Sequence, residues 1–210
     1  EIHTVGAGGG TIAHVDEAGL LHVGPLGAGA LPGPACYGQG GDQPTVTDAY
    51  MVLGRLRPGP YAGGSVTLDD KLAWQAIESK IAAPLGIRVE EAAAGIIRLL
   101  EQNLLHAVEH ISIQRGHDPR RFTLVAAGGA GPMHGASVAR SLGCGQAYVP
   151  RQAGAFCALG MLHTDIRQDY LAVHFDNLDS VDGTTLQQAF EPLADRAQAA
   201  LAAEGFSGDK

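Results

Sequence analysis

The run Phe122-Thr-Leu-Val-Ala-Ala-Gly-Gly-Ala-Gly-Pro-Met-His134 holds the clearest chemical potential in the chain. It reads as an apolar strand, a glycine turn and the start of a helix. Such a turn aims backbone N–H groups at whatever sits at the helix N-terminus, which suits a phosphate or a nucleotide. Gly128, Gly129, Ala130 and Gly131 are the backbone candidates, and His134 is the nearest polar side chain. No Gly-Lys-[Ser/Thr] follows, so the run is not a P-loop, and its spacing also fails G-x-G-x-x-G. The competing reading is a tight strand-to-helix turn with no ligand. A second run, Val5-Gly-Ala-Gly-Gly-Gly-Thr11, again lets backbone rather than side chains approach a ligand. Its alternative is a β-bulge or two closely packed backbones.

Side chains with reactive potential lie around these turns. His3 precedes the second run and is either a catalyst or a hydrogen-bonded structural residue. Asp48, in Pro44-Thr-Val-Thr-Asp48, falls in the first turn of a short helix, where the dipole alone favours a carboxylate. A carboxylate held there is also a candidate base or magnesium ligand. Cys36 lies in a Gly/Pro loop without an evident activating partner. His106 and His110 share a helical face, but no H-E-x-x-H pair occurs and no metal site is assigned.

The elements that must position these groups follow from the pattern. Thr11–Val15 and Leu20–Val23 read as a hairpin about Asp16-Glu-Ala-Gly19. Gly24 to Pro44 is a long Gly/Pro loop, predicted to be ordered and packed near a site. Thr45 or Thr47 caps the short helix. A helix is expected from Thr67-Leu-Asp-Asp70, capped by Thr67, with Leu72, Trp74, Ile77 and Ile81 as its apolar stripe. Val89 opens a long helix whose apolar residues from Ala92 to Ile111 recur at helical spacing and which stops at Gly116. Phe122–Ala127 reads as a central strand buried on both faces. A helix Met133–Leu142, a strand Gln146–Pro150, a short helix Ala155–Leu162 and a strand Ile166–Phe175 come next. A final helix, Thr184–Glu204, is expected to turn Leu186, Phe190, Leu193, Ala197 and Leu201 inward. The alternation after Arg121 indicates an α/β fold, with long helices packed on a sheet. Three segments are expected: a Gly/Pro-rich hairpin and loop region (1–64), a helical segment (65–120) and an α/β segment (121–210).

Composition narrows the partners. Of 210 residues 45% are hydrophobic and 17% charged, which suits a globular chain. The formal net charge of −8 comes without a basic patch, so nucleic acid is not an expected partner. No apolar stretch is long enough for a membrane span. Three cysteines in no zinc or redox spacing are expected as reduced thiols in a cytoplasmic protein.

Taken together the runs resemble the hydantoinase A/oxoprolinase family. The family pattern Asp-Ile-His-Thr-Val-Gly-Ala-Gly-Gly-Gly-Ser-Ile-Ala is matched from Ile2 to Ala13, with Thr11 for Ser and Glu1 for Asp. Pro-Gly-Pro-Ala-Cys-Tyr-Gly is present as Pro32–Gly38, Pro-Thr-Val-Thr-Asp-Ala as Pro44–Ala49, and Leu-Gly-Arg-Leu as Leu53–Leu56. Gly-Gly-Ala-Gly-Pro is Gly128–Pro132, and Ala-Leu-Gly-Met-Leu is Ala158–Leu162. The resemblance implies part of an actin-like, ribonuclease-H-like ATPase fold, with Gly128–Gly131 as its adenosine turn. It implies ATP and Mg²⁺ as cofactors of the full subunit, a cyclic amide such as a hydantoin or 5-oxoproline as substrate, and a B-type hydantoinase subunit as partner. Some relatives instead serve as ATP-using subunits of ketone carboxylases. By matching position, His3, Gly8, Gly9, Gly10 and Thr11 would line a substrate–phosphate pocket, Asp48 would be a base or supporting carboxylate, and Cys36 would sit in the adjoining loop. The family's two Asp-Gly-Gly-Thr phosphate turns do not occur here, and the chain does not begin with Met. It is therefore expected to be the C-terminal part of such a subunit, inactive by itself, with an isolated, inactive α/β module as the remaining alternative.

Overall fold

A computed structural model describes residues 3–175, 177, 179 and 181–206. The chain divides into two units, Glu1–Leu159 and Gly160–Lys210. In the first, β1 (Thr11–Val15) and β2 (Leu21–Gly27) form the expected antiparallel hairpin, pairing Ala13 with Val23 and Val15 with Leu21. The Asp16 carboxylate closes its turn by accepting the Ala18 and Leu20 amides at 2.9 Å each. This is the local side-chain-to-backbone bonding that makes Asp a turn residue.

Helix α1 (Val46–Val52) follows the long loop. It has Thr45 as N-cap and a reciprocal capping box with Asp48. β3 (Gly59–Tyr61) and β4 (Val66–Leu68) make a second small hairpin. α2 (Asp70–Ile77) runs through a π-turn at Glu78–Ala82 into the short α3 (Ala83–Leu85). Its cap is Asp69, whose Oδ1 accepts the Lys71 amide at 2.8 Å, and not Thr67, which is taken up by β4. The α2 stripe also differs from expectation. Ala73, Ala76 and Ile77 are buried, while Trp74 faces out. Small residues on that face let the helices approach closely, and the indole is left at the rim.

α4 (Val89–Ile111) is the longest element of this unit, and Ala92, Ala93, Ile96, Ile97 and Leu100 bury its inner face. That face packs on α1 and on β2. The core is accordingly helix on helix, built from Val46, Tyr50, Ile77, Ile81, Ile96 and Leu100, with the first hairpin laid against it. β5 (Thr123–Val125), α5 (Gly131–Leu142) and β6 (Gln146–Tyr148) complete a parallel strand–helix–strand unit. The expectation of a central strand at Phe122–Ala127 fails. β5 is three residues long and pairs only with β6 among the described residues, and Val125 is 50% exposed. An apolar run shows that burial is available to a strand, but neighbours must supply it. The chain is thus α/β, with its strands in separate pairs.

α6 (Phe156–Met161) runs across the division at Leu159, and α7 (Gly183–Ala203) belongs to the second unit. The Asp182 carboxylate caps α7 by accepting the Thr185 amide at 2.7 Å. Leu186 and Phe190 on α7 are exposed rather than inward, whereas Leu193, Ala197 and Leu201 are half-buried. The strand expected at Ile166–Phe175 does not form, and Leu171, Val173 and Phe175 lie open. Alternation alone does not make a strand without a ladder to join. No helix among the described residues is long and apolar enough to cross a membrane.

Candidate active site

A cavity of about 360 Å³ opens where the two glycine runs meet. Gly9 and Gly10 form one wall and Gly129, Ala130 and Met133 another. Tyr37, Thr47, Tyr50 and the second hairpin, through Tyr61 and Leu68, close the rest. No lining side chain is charged.

Local folding explains why backbone lines this space. The Gly9 carbonyl accepts both the amide and the hydroxyl of Thr47, each at 2.8 Å, which ties the first glycine run to the N-terminus of α1. A Cβ on Gly9 would stand 3.0 Å from Thr47 Oγ1, tight enough that the threonine would have to give, and 3.8 Å from Ala130 Cβ, in ordinary contact with the other turn. Gly128 takes φ +85°, and its amide donates to the Ala153 carbonyl at 2.7 Å. A Cβ on Gly129 would meet nothing within 4 Å, so the turn is open rather than plugged. α5 begins beyond it with no side-chain cap. Pro132 carries no N–H and the Met133 amide donates to the Ala130 carbonyl at 3.0 Å, so what this end offers beside the cavity is its positive dipole.

The sequence-derived candidates separate into distinct places. Gly9, Gly10, Gly129 and Ala130 line the cavity. Gly131 opens α5, and the Gly8 amide donates to Thr11 Oγ1 at 2.8 Å, shaping the first turn. His3 lines a separate groove with His106 and His110, its ring 5.1 Å from that of His110.

Asp48 is fully buried. Its Oδ2 accepts the Thr45 amide and hydroxyl, both at 2.8 Å, and the Ala35 amide at 3.3 Å, while Oδ1 accepts the Cys36 amide at 2.7 Å. This carboxylate folds the Gly/Pro loop onto α1, and no open face is left for substrate. Cys36 is also fully buried, and its thiol is pushed far up, first by burial and then by the Asp48 charge. That is the reverse of an activated nucleophile.

His134 turns into the core and is 3% exposed. The Tyr50 hydroxyl lies 2.5 Å from its Nε2 and 2.9 Å from its Nδ1, and Glu101 Oε1 lies 3.4 Å from Nδ1. Burial holds His134 below the usual imidazole range against the opposing pull of Glu101. Burial, then the Glu101 charge, pushes the Tyr50 phenol up. Both groups are thereby kept neutral near pH 7.

Sequence reasoning did not single out Tyr37, Tyr50, Tyr61, Thr47 or Met133 as cavity residues. Tyr37 and Thr47 fall inside the quoted motifs, and Met133 follows the turn directly. Nothing in the local pattern marks Tyr61.

The α/β scaffold brings the two glycine-rich runs together at one cavity. A family model described as hydantoinase/oxoprolinase matches residues 1–170, and the chain belongs to that family. It is 47% identical over its whole length to caprolactamase subunit alpha of Pseudomonas jessenii, covering 30% of that protein. The crystal structure of that ATP-dependent caprolactamase superposes with a TM-score of 0.74 over 100% of this chain and 30% of the other, at 46% identity. The acetophenone carboxylase gamma subunit of Aromatoleum aromaticum is 41% identical over 98% of this chain and 29% of its own length. A nucleotide-free acetone carboxylase structure gives a TM-score of 0.79 at 33% identity, over 98% of this chain and 30% of that one. The chain therefore spans about 30% of the length of these relatives.

Proposed function

We propose that this chain is the C-terminal part of an ATP-dependent cyclic-amide hydrolase of the hydantoinase/5-oxoprolinase type, with the actin-like ATPase fold. The observation that carries the reading is the cavity shared by Gly9–Gly10 and Gly129–Ala130, built from the two runs on which the family resemblance rests. The kinship with an ATP-dependent caprolactamase supports a lactam as substrate and ATP as co-substrate.

The residues present fit a nucleoside. The open turn at Gly129 leaves room for a base or ribose, and Tyr37 and Tyr61 supply aromatic walls. The uncapped start of α5 offers its dipole to the phosphates. With no charged side chain in the lining, the cavity selects the neutral part of the nucleotide and leaves the phosphates toward the glycine edge. ATP bound in the full subunit would give its γ-phosphoryl group to the amide oxygen with release of ADP, and water adding at the activated ring carbon would then break the C–N bond and release phosphate. This chain's part in that chemistry is to hold and orient. Mg²⁺ is proposed for the full subunit, and no residue here is assigned to it: among the described residues no group of three or more His, Cys, Asp or Glu side chains could hold a metal ion. A B-type partner subunit and a cytoplasmic setting complete the proposal.

The test is turnover by the full subunit with its partner on hydantoin, 5-oxoproline and caprolactam. Lactam-stimulated ADP release with formation of the ring-opened acid is the expected result. Absence of lactam-stimulated ATP hydrolysis overturns it. Strict dependence on bicarbonate with a ketone establishes the carboxylase reading instead, which the acetophenone and acetone carboxylase kinship favours.

A further inference from the structure

A buried hydrogen-bonded chain of side chains lies behind the cavity wall. Tyr50 belongs to α1, Glu101 to α4 and His134 to α5, so three elements meet at one imidazole. Ser137 Oγ donates to Glu101 Oε2 at 2.6 Å, which binds α5 to α4 a second time, one turn beyond His134. Tyr50 is one of the residues lining the cavity, and its hydroxyl is hydrogen-bonded to His134. Met133, next to His134 in sequence, lines the cavity from the other side. Gly135 leaves α5 no slack, because a Cβ there would stand 2.6 Å from Ala126 Cβ. A rotation of α5 would therefore move Met133 and the Gly129–Ala130 turn together.

We propose that Tyr50, His134 and Glu101 are positioning residues that set the Gly128–Gly131 turn against the cavity, so that ATP affinity depends on their hydrogen-bond order. The inference rests on the reading that this cavity takes the nucleoside of ATP. In the neutral order, His134 Nδ1–H donates to Glu101 and Nε2 accepts the Tyr50 hydroxyl proton. A proton added at Nε2 reverses the Tyr50 bond, since both ring nitrogens then donate. The charged groups facing the imidazole are Glu101 from α4 and Arg55 from the segment after α1, whose guanidinium lies 5.8 Å from the Tyr50 ring centroid. Glu101 favours the proton and Arg55 opposes it.

The experiment is steady-state kinetics of the full subunit with its partner, for His134→Leu, His134→Gln, Tyr50→Phe and Ala130→Leu. We expect His134→Leu and Tyr50→Phe to raise KM for ATP about tenfold with kcat within about twofold, and His134→Gln, which can still donate and accept, to recover most of the loss. In the wild type, KM for ATP is expected to rise as pH falls through the His134 titration, and in His134→Gln that inflection should vanish. A fall in kcat at unchanged KM overturns the inference, as does His134→Gln behaving like His134→Leu. Should His134→Leu not fold, Tyr50→Phe, which removes one oxygen, carries the comparison. Ala130→Leu separates the two claims. If it leaves KM for ATP unchanged, the cavity reading fails and takes the inference with it. If it raises KM while His134→Leu and Tyr50→Phe do not, only the positioning chain fails.

Discussion

Replacing Asp48 distinguishes a scaffold carboxylate from a catalytic base. Its two oxygens accept three backbone amides, from Ala35, Cys36 and Thr45, and the Thr45 hydroxyl. Asp48→Asn keeps the shape but turns an NH₂ toward at least one of those donors. Leaving one buried donor unsatisfied costs about 1–3 kcal/mol. Asp48→Ala orphans all three amides, and with some relief from entering water the loss is about 3–5 kcal/mol. For a chain of this size each kcal/mol lowers Tm by roughly 2–4 °C. Asp48→Asn should then melt about 2–12 °C lower and Asp48→Ala about 6–20 °C lower, by circular dichroism or calorimetry. Turnover of the full subunit should fall in step with the folded fraction, and Asp48→Asn measured well below its Tm should keep most of its kcat. An Asp48→Asn protein with unchanged Tm and abolished turnover would refute the scaffold assignment and restore the base.

Cys36 should resist alkylation in the native state while the exposed Cys157 reacts, with Cys36 labelled only on unfolding; a mass-spectrometric time course reads this directly. Gly9→Val should close the gap between the two turns, since a Cβ there already meets Thr47 Oγ1 at 3.0 Å, and should weaken ATP binding by about tenfold or more in the full subunit. His134 is held below its unfolded value of about 6.5, so between those two pH values the unfolded chain binds the extra proton. Stability should therefore fall as pH drops below about 6.5, and the wild-type minus His134→Gln difference in Tm against pH should isolate that slope. The Asp16 carboxylate, held down by the Leu20 amide and then by His22, should titrate below the usual range by NMR, and His22→Ala should raise its midpoint only partway.

Much of the local architecture was legible because it is set by short-range rules. The turn chemistry at Asp16–Gly19 fixed the first hairpin, Thr45 with Asp48 made the α1 capping box, and the 3.6-residue apolar period fixed α4. The glycine runs were legible as open backbone, since Gly9, Gly10, Gly129 and Ala130 line one cavity. The errors share a cause. Phe122–Ala127 and Ile166–Phe175 carry strand-like patterns, but a strand exists only where a partner ladder stands beside it. Trp74 and Phe190 are apolar yet lie outward, because packing chose the small or better-placed residues on their helices.

The ordered motifs determined the family through their resemblance to known members, and local residue types determined where the backbone bends, because φ freedom and capping are properties of neighbouring residues. The direction each polar side chain faces was decided only when distant segments packed. Asp48 and His134 look alike in sequence as candidate ligand contacts. The fold spends one on pinning a loop and buries the other between Tyr50 and Glu101, because a buried polar group must find its partners wherever the chain brings them.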